Sequence, residues 1–254
     1  MGLRCTTGGG TGTITIDRPE KRNAMTADMW RAVPVLLDRL AADTGVRVVV
    51  LTGAGGTFCA GADIGELASI DRSDAGLSTL AEEALAAFPK PTIAAIDGFC
   101  VGGGCQLAAA CDLRFATERA RFGITPAKLG IVYPAPATAR ITRLVGPSAA
   151  KYLLYSSDLV DAPHALRVGL VDEIVPADGL AARVEAFAAT LASRSLLTQR
   201  ATKEIVDAVA AGAPIGDLAT AWLDEAAASG DTAEGVAAFL ERRAPKFTWT
   251  APRG

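Results

Sequence analysis

Over Thr11–Ile16 the polar Thr13 and Thr15 interleave with Ile14 and Ile16. That period of two predicts a half-buried strand, closed by Pro19. Thr26 is placed to N-cap a helix running to about Ala42, with Pro34 as a point where it would kink. The run VRVVVLTG, 46–53, is almost entirely β-branched and predicts a strand buried on both faces, hence a parallel one. A glycine-rich stretch, GAGGTFCAGAD at 53–63, leads to a short helix near Asp63–Ala68 and a helix over about Thr79–Phe88. KPTIAAIDG predicts a second buried strand ending at Gly98, FCVGGGCQLAAAC a glycine turn and a helix, and DLRFAT a third strand.

Strand, glycine loop and helix therefore recur about 45 residues apart without a sequence repeat. The rhythm is that of an α/β fold with crossover helices. Beyond Pro136 the pattern is mostly helical. A helix starting near Ala162 ends at Gly169, placed as its C′ glycine, and Leu170–Val175 is the last strand. Helices follow at Leu180–Ala192, Leu196–Ala211, Pro214–Ala228 and Thr232–Arg243. Strands disappear near Arg194, which divides an α/β core, residues 1–194, from a helical region, residues 195–254. Helices with no sheet to cover must bury their apolar faces on the core or on another subunit.

Composition narrows the function classes. At 254 residues, 50% hydrophobic and 21% charged, the chain has ample material for one core and is not a disordered protein. The net charge is −3 and no basic patch stands out, so neither nucleic acid nor an anionic membrane is an expected partner. A single histidine, His164, argues against a histidine metal site or a serine–histidine–aspartate triad, and no metal is expected. It lies beside Pro163, far in sequence from both glycine loops, and reads as a surface residue. The five cysteines form no C-x-x-C pair and read as buried thiols in a reducing cytoplasm. MGLRCTTGGG has no apolar run of signal-peptide type. Pro91–Cys111, the least charged stretch, holds Asp97 and several glycines, so it predicts buried turns and a helix rather than a membrane span.

The chemistry concentrates in the two glycine loops. Each joins a buried strand to a helix start, where backbone N–H groups are unpaired and the helix dipole adds positive potential. Either loop alone could be just a tight turn. Two such loops in parallel α/β order can aim two N–H donors at one oxygen. That is an oxyanion hole, suited to a carbonyl becoming an enolate or a tetrahedral adduct. A phosphate site is the rival, but neither loop ends in the Lys-Ser/Thr of a P-loop.

FCAGADI (58–64) and GFCVGGGCQLAAACDLRFA (98–116) resemble the two signature segments of the crotonase superfamily, which includes the enoyl-CoA hydratases and isomerases. IDRPEKRNAM (16–25), FGITPAKLGI (122–131) and AFLERRAPKF (238–247) match too, in order along the whole chain. The resemblance implies a spiral of ββα units, a C-terminal helical region used in trimerisation, and a homotrimer or dimer of trimers. It implies a coenzyme A thioester as substrate or ligand and no other cofactor. Carried over by position, the oxyanion donors are the backbone N–H groups of Ala60 and Gly103. Ala24, Ala62, Asp63 and Ile64 line the coenzyme A path, Lys21 and Arg22 stand where a basic residue meets its phosphates, and Lys246 and Phe247 contribute from a neighbouring subunit.

Two positions depart from the family. Hydratases of this kind add water with two glutamates, and here those positions hold Gln106 and Pro126. An amide cannot transfer a proton at neutral pH, although Gln106 can orient a ligand by hydrogen bonds, and Pro126 offers only shape. Each positioned acid or base contributes about 10²–10⁴-fold, so efficient ordinary hydration is not expected. A relocated carboxylate would have to come from Glu66, Asp71, Glu82 or Glu83, each of which reads as a solvated face residue. Decarboxylation of a malonyl-type thioester needs no base, because loss of CO₂ delivers the enolate directly. TPAKLGIVYP (125–134) resembles the matching segment of bacterial methylmalonyl-CoA decarboxylases, which carry a tyrosine at the position of Tyr133, the candidate proton donor or orienting hydroxyl. A histidine and a glutamate of those enzymes are replaced by Ala62 and Gln106. Another enolate-type lyase or isomerase step would fit as well, and the alternatives are a non-catalytic acyl-CoA binding or sensing protein and a hydratase with a relocated carboxylate.

Overall fold

The computed structural model describes residues 2–67 and 76–250. Strand β1 (Leu3–Gly8) turns through Gly9 and Gly10, at φ +58° and +83°, into β2 (Thr11–Ile16). Type I′ hairpin turns demand such positive φ values, which glycine adopts without a steric cost. The hairpin is antiparallel, and β1 leaves nearly all its side chains in solvent. It therefore carries no alternating signal, which is why sequence pattern misses it. Helix α1 (Ala27–Ala42) is N-capped by the Thr26 hydroxyl, which accepts from the Met29 N–H at 3.3 Å, and it continues through Pro34.

Strand β3 (Val48–Gly53) buries Val48, Val49, Val50 and Leu51 almost completely. At about 1.5–3 kcal/mol for each large aliphatic side chain removed from water, such strands form the centre of the fold. Helices α2 (Ile64–Leu67) and α3 (Leu77–Ala86) precede β4 (Thr92–Ile96), the short β5 (Phe99–Val101) and α4 (Gly103–Ala110). The same strand–strand–helix order returns in β6 (Leu113–Thr117), β7 (Arg121–Gly123), α5 (Pro126–Leu129) and α6 (Ala135–Ser156). In α6, Gly146 at φ +76° precedes Pro147 and breaks the helix into two segments. Then come β8 (Val160–Asp161), α7 (Ala162–Arg167), β9 (Glu173–Val175) and the helices α8 (Leu180–Ala192), α9 (Leu196–Ala210), α10 (Gly216–Ser229) and α11 (Asp231–Leu240).

The larger sheet has the order β1-β2-β3-β4-β6-β9, parallel from β2 onward. The smaller has the order β5-β7-β8, and Cys59 extends it by a parallel bridge to Cys100. Successive units thus place one segment in each sheet, the expected ββα spiral. The strands β5, β7 and β8 escape sequence reading because two or three residues are too few to show a period.

After β9 the described residues contain only helices. Leu196, Leu197 and Trp249 form a small cluster with Trp222 against it. Val206, Val209, Leu223, Val236, Phe239 and Leu240 stay exposed, Phe239 at 83%. Gly169 takes φ +83° just past α7, as the C′ position requires. Among the described residues no helix is long and apolar enough to cross a membrane.

Candidate active site

The two glycine loops meet because the smaller sheet draws them together. The Cys59 N–H donates to the Phe99 carbonyl and the Val101 N–H to the Cys59 carbonyl, both at 2.9 Å. Residues 60–63 then run beside Val101–Gly103. The approach leaves no room for side chains. A Cβ on Gly61, which sits at φ +102°, would lie 3.0 Å from the Val101 oxygen and 3.4 Å from the Gly103 nitrogen. A Cβ on Gly103 would lie 2.9 Å from the Trp30 ring and 3.5 Å from the Ala62 nitrogen. The backbones at Ala62 and Gly103 are therefore close neighbours.

Their hydrogen bonding corrects one expectation. The Ala60 N–H is already committed to the Arg22 carbonyl at 3.0 Å and is not a free donor. Ala62 bridges Met25 in parallel fashion, so its neighbours are paired: the Met25 N–H donates to the Gly61 carbonyl and the Asp63 N–H to the Met25 carbonyl. Among the described residues the Ala62 N–H has no acceptor. Neither has that of Gly103, the first residue of α4, where no intrahelical partner exists. The unpaired N–H groups at this junction are thus those of Ala62 and Gly103. Gly61, between the two alanines at φ +102°, is the signal that sequence reading passed over.

Both residues floor a cleft of about 370 Å³. Gln106, Thr125, Pro126 and Tyr133 line it further in, and Ile64, Leu129, Ile131 and Val132 form an exposed apolar rim. Asp63 also lines the cleft. Its carboxylate accepts from Arg18 Nη1 at 2.9 Å and the Gly65 N–H at 3.0 Å, and the Arg18 hydrogen bond holds its pKa below the ordinary aspartate value. Glu66 reaches the cleft too, with Oε2 accepting from the Ala27 N–H at 2.7 Å at the start of α1.

Tyr133 donates its hydroxyl to the Gly102 carbonyl at 3.1 Å. That carbonyl belongs to the same peptide unit as the Gly103 N–H, and it also accepts from the Gln106 N–H at 3.1 Å. Two donors on the carbonyl fix the plane of this peptide and polarise its N–H. Burial, supplemented by the neighbouring Cys105 and Glu82, pushes the Tyr133 pKa well above its usual value, so the hydroxyl keeps its proton.

The remaining expected residues sort by position. Ala62, Asp63, Ile64 and Pro126 line the cleft, whereas Ala24 does not: its carbonyl accepts from Arg18. Lys21 and Arg22 are exposed on the turn before it, with the Arg22 guanidinium 5.5 Å from the centroid of the Phe99 ring. The Lys246 N–H donates to Glu234, Phe247 packs near Gly235, and neither lines the cleft of its own chain. His164 stacks on Tyr152 at 5.7 Å, away from the cleft. Cys59, Cys100, Cys105 and Cys111 are buried, and burial raises the Cys59 and Cys111 thiols to about 12. Cys5 is exposed instead.

Among the carboxylates expected on solvated faces, Glu83 is exposed and pairs with Arg140. Glu82 overturns the expectation. It is fully buried behind Gln106, with Oε2 accepting from Gln106 Nε2 and Oε1 from Arg140 Nε, both at 2.8 Å. Two polar partners offset the desolvation cost that keeps lone carboxylates at the surface. Asp71 lies outside the described residues.

Comparison with known proteins agrees with this architecture. The enoyl-CoA hydratase/isomerase family model matches residues 6–250. The chain is 37% identical over 241 residues to a probable enoyl-CoA hydratase of Mycobacterium bovis, covering 93% of this chain and 94% of that one. It is 38% identical over 252 residues to a putative enoyl-CoA hydratase of Thermus thermophilus, covering 94% and 98%. A crystal structure of a putative enoyl-CoA hydratase/isomerase family protein from Hyphomonas neptunium superposes with a TM-score of 0.93 at 37% identity, covering 98% of each chain. With its motifs collinear, its spiral fold shared and nearly its whole length matched, the chain belongs to the enoyl-CoA hydratase/isomerase family of the crotonase superfamily.

Proposed function

We propose that this protein binds acyl-CoA thioesters with the thioester oxygen between the Ala62 and Gly103 N–H groups, and that it stabilises the enolate formed there. The observation that carries the reading is the pair of adjacent, unpaired backbone donors on the cleft floor, one of them at a helix N-terminus. The coenzyme A part would pass along Asp63 and Ile64, with Lys21 and Arg22 near its phosphates.

Gln106 and Pro126 occupy the positions at which the family resemblance places two glutamates. Of the carboxylates lining the cleft, Asp63 is held by Arg18, and Glu66 accepts the Ala27 N–H. This favours a reaction that enters the enolate without a general base. In a malonyl-type thioester the bond from Cα to the carboxylate breaks, CO₂ leaves, and the electron pair passes to the thioester oxygen. A proton from solvent then completes Cα. Tyr133 serves this step as an orienting group, through the Gly102 carbonyl, rather than as the acid.

The test is a panel of crotonyl-, 3-enoyl-, methylmalonyl-, ethylmalonyl- and octanoyl-CoA, followed by mass spectrometry. Loss of CO₂ from the malonyl-type esters is the expected result, and Tyr133→Phe should lower that turnover about 5-fold, the worth of one net hydrogen bond. Stoichiometric hydration of crotonyl-CoA would overturn the reading in favour of a hydratase. Tight binding without any product would favour an acyl-CoA sensing protein.

The exposed apolar residues of α9, α10 and α11 support an assembly of several copies, with a trimer or dimer of trimers as the proposed form. Such an assembly would also be the route by which Lys246 and Phe247 reach a neighbouring cleft. Light scattering should show a multimer for the native chain and a shift to smaller species for Phe239→Asp with Leu240→Asp. A native monomer would refute it.

A further inference from the structure

A cleft that stabilises an enolate is here lined by charge of the enolate's own sign. Among the described residues its charged side chains are Asp63 and Glu66, both acidic. Two unpaired carboxylates would oppose any negative charge placed beside them. Each is compensated from behind the lining. Glu66 Oε2 accepts from the Ala27 N–H at 2.7 Å, at the start of the 16-residue helix α1, where the helix dipole adds positive potential. Asp63 has a full counter-charge, since its Oδ2 accepts from Arg18 Nη1 at 2.9 Å, with both side chains only 22% exposed. The same contact keeps the Asp63 pKa low, so the carboxylate is charged. Arg18 does not itself line the cleft. Its Nη1 also donates to the Ala24 carbonyl at 2.9 Å, and its backbone N–H donates to Oδ1 of the buried Asn23 at 2.8 Å. On its outer side Nε lies 3.8 Å from the exposed Glu20 carboxylate. The guanidinium is thus delivered to Asp63 by a pinned turn.

We propose that Arg18 is a positioning residue that, by holding and neutralising Asp63, lets this cleft accept an acyl group carrying a carboxylate. The inference rests on the thioester reading above. Asp63 directly follows Ala62, whose N–H takes the thioester oxygen in that reading. A carboxylate close to the thioester would then lie within roughly 8–10 Å of Asp63, where a like charge in a partly shielded cleft is worth about 5–10-fold in affinity. With Arg18 in place that repulsion is cancelled. Without it the cleft would favour neutral acyl groups over anionic ones. The phosphates of coenzyme A are common to every ester, so their interactions with Lys21 and Arg22 on the same turn cancel when two esters are compared.

The experiment is calorimetric titration of the full-length protein with butyryl-CoA and succinyl-CoA, whose acyl chains are equally long and differ by a terminal carboxylate. Loss of that carboxylate as CO₂ would not deliver a thioester enolate, so binding is read without turnover. The native chain should bind both esters. Arg18→Met should weaken succinyl-CoA about 5–10-fold relative to butyryl-CoA. Adding Asp63→Asn removes the uncompensated charge and should return the ratio to within about 2-fold of the native one. A purely structural role for Arg18 would weaken both esters in parallel, and Asp63→Asn would restore nothing. Should Arg18→Met fail to fold because the Ala24 carbonyl loses its partner, Asp63→Asn alone leaves Arg18 charged and should move the ratio about 5-fold toward succinyl-CoA. The proposal is overturned if a folded Arg18→Met protein keeps the native ratio within about 2-fold, or if Asp63→Asn leaves the ratio unchanged in either background. A native chain that binds butyryl-CoA but not succinyl-CoA also overturns it, while the thioester reading stands. If the native chain binds neither ester, that reading itself fails and takes this inference with it.

Discussion

Replacing Gly103 by proline is expected to lower turnover of whichever thioester the cleft accepts by about 10²–10³-fold, the usual cost of one oxyanion donor. Proline has no N–H, and position 103 is the first residue of α4, where the helix itself tolerates proline. The loss would therefore fall mainly on the donor pair, with a second contribution from crowding, since any Cβ here meets the Trp30 ring at 2.9 Å. Gly103→Ala separates the two effects. It crowds Trp30 equally but retains the N–H, so it should lie between the native chain and the proline variant. Steady-state kinetics on the active member of the thioester panel measures all three. If the proline variant retained native turnover, the assignment of Gly103 as a donor would be wrong.

Gly104→Ala tests the junction beneath the site. A Cβ at 104 would press into the Cys59 carbonyl oxygen and stand 3.0 Å from the Cys59 Cβ. The obstacle is backbone, which cannot swing aside as a long side chain can. Overpacking a rigid site costs about 1–3 kcal/mol or somewhat more. Near the upper end, a chain of this size should lose roughly 10 °C in Tm. Because the clash pushes residues 59–62 away from the start of α4, thioester binding should weaken as well. Gly216→Ala, at the beginning of α10 with open space around the new methyl, is the control and should be neutral or slightly stabilising. Scanning calorimetry of both variants decides the matter. A Gly104→Ala protein melting within about 2 °C of the native chain would mean that the loops are not in contact there.

The main elements are local in origin, and for that reason they were readable. Val48–Leu51 and Thr92–Ile96 are continuous buried runs, Thr26 caps α1, and Gly169 closes α7. Each is decided by neighbours a few residues away. The short strands of the smaller sheet are not. Phe99–Val101, Arg121–Gly123 and Val160–Asp161 are extended because each finds a partner far along the chain. Pro34 was the opposite case. It is a strong local signal for a kink, yet α1 runs through it from Ala27 to Ala42, with Met29, Trp30, Val33 and Leu37 packed on the core to either side.

The residue types of the site are therefore a property of the sequence alone: two glycine loops after buried strands, an amide at 106, a proline at 126 and a tyrosine at 133. Which N–H groups are free was decided only by the tertiary structure. Ala60 and Ala62 look alike in sequence, and they differ because the Arg22 carbonyl comes to meet one of them from a distant turn. Glu82 reads as a surface residue on a helix until α6 brings Arg140 and α4 brings Gln106 against it. Local interactions write themselves into spacing and residue type. A hydrogen bond between residues dozens of positions apart leaves no period behind, and only the folded chain shows which partner arrived.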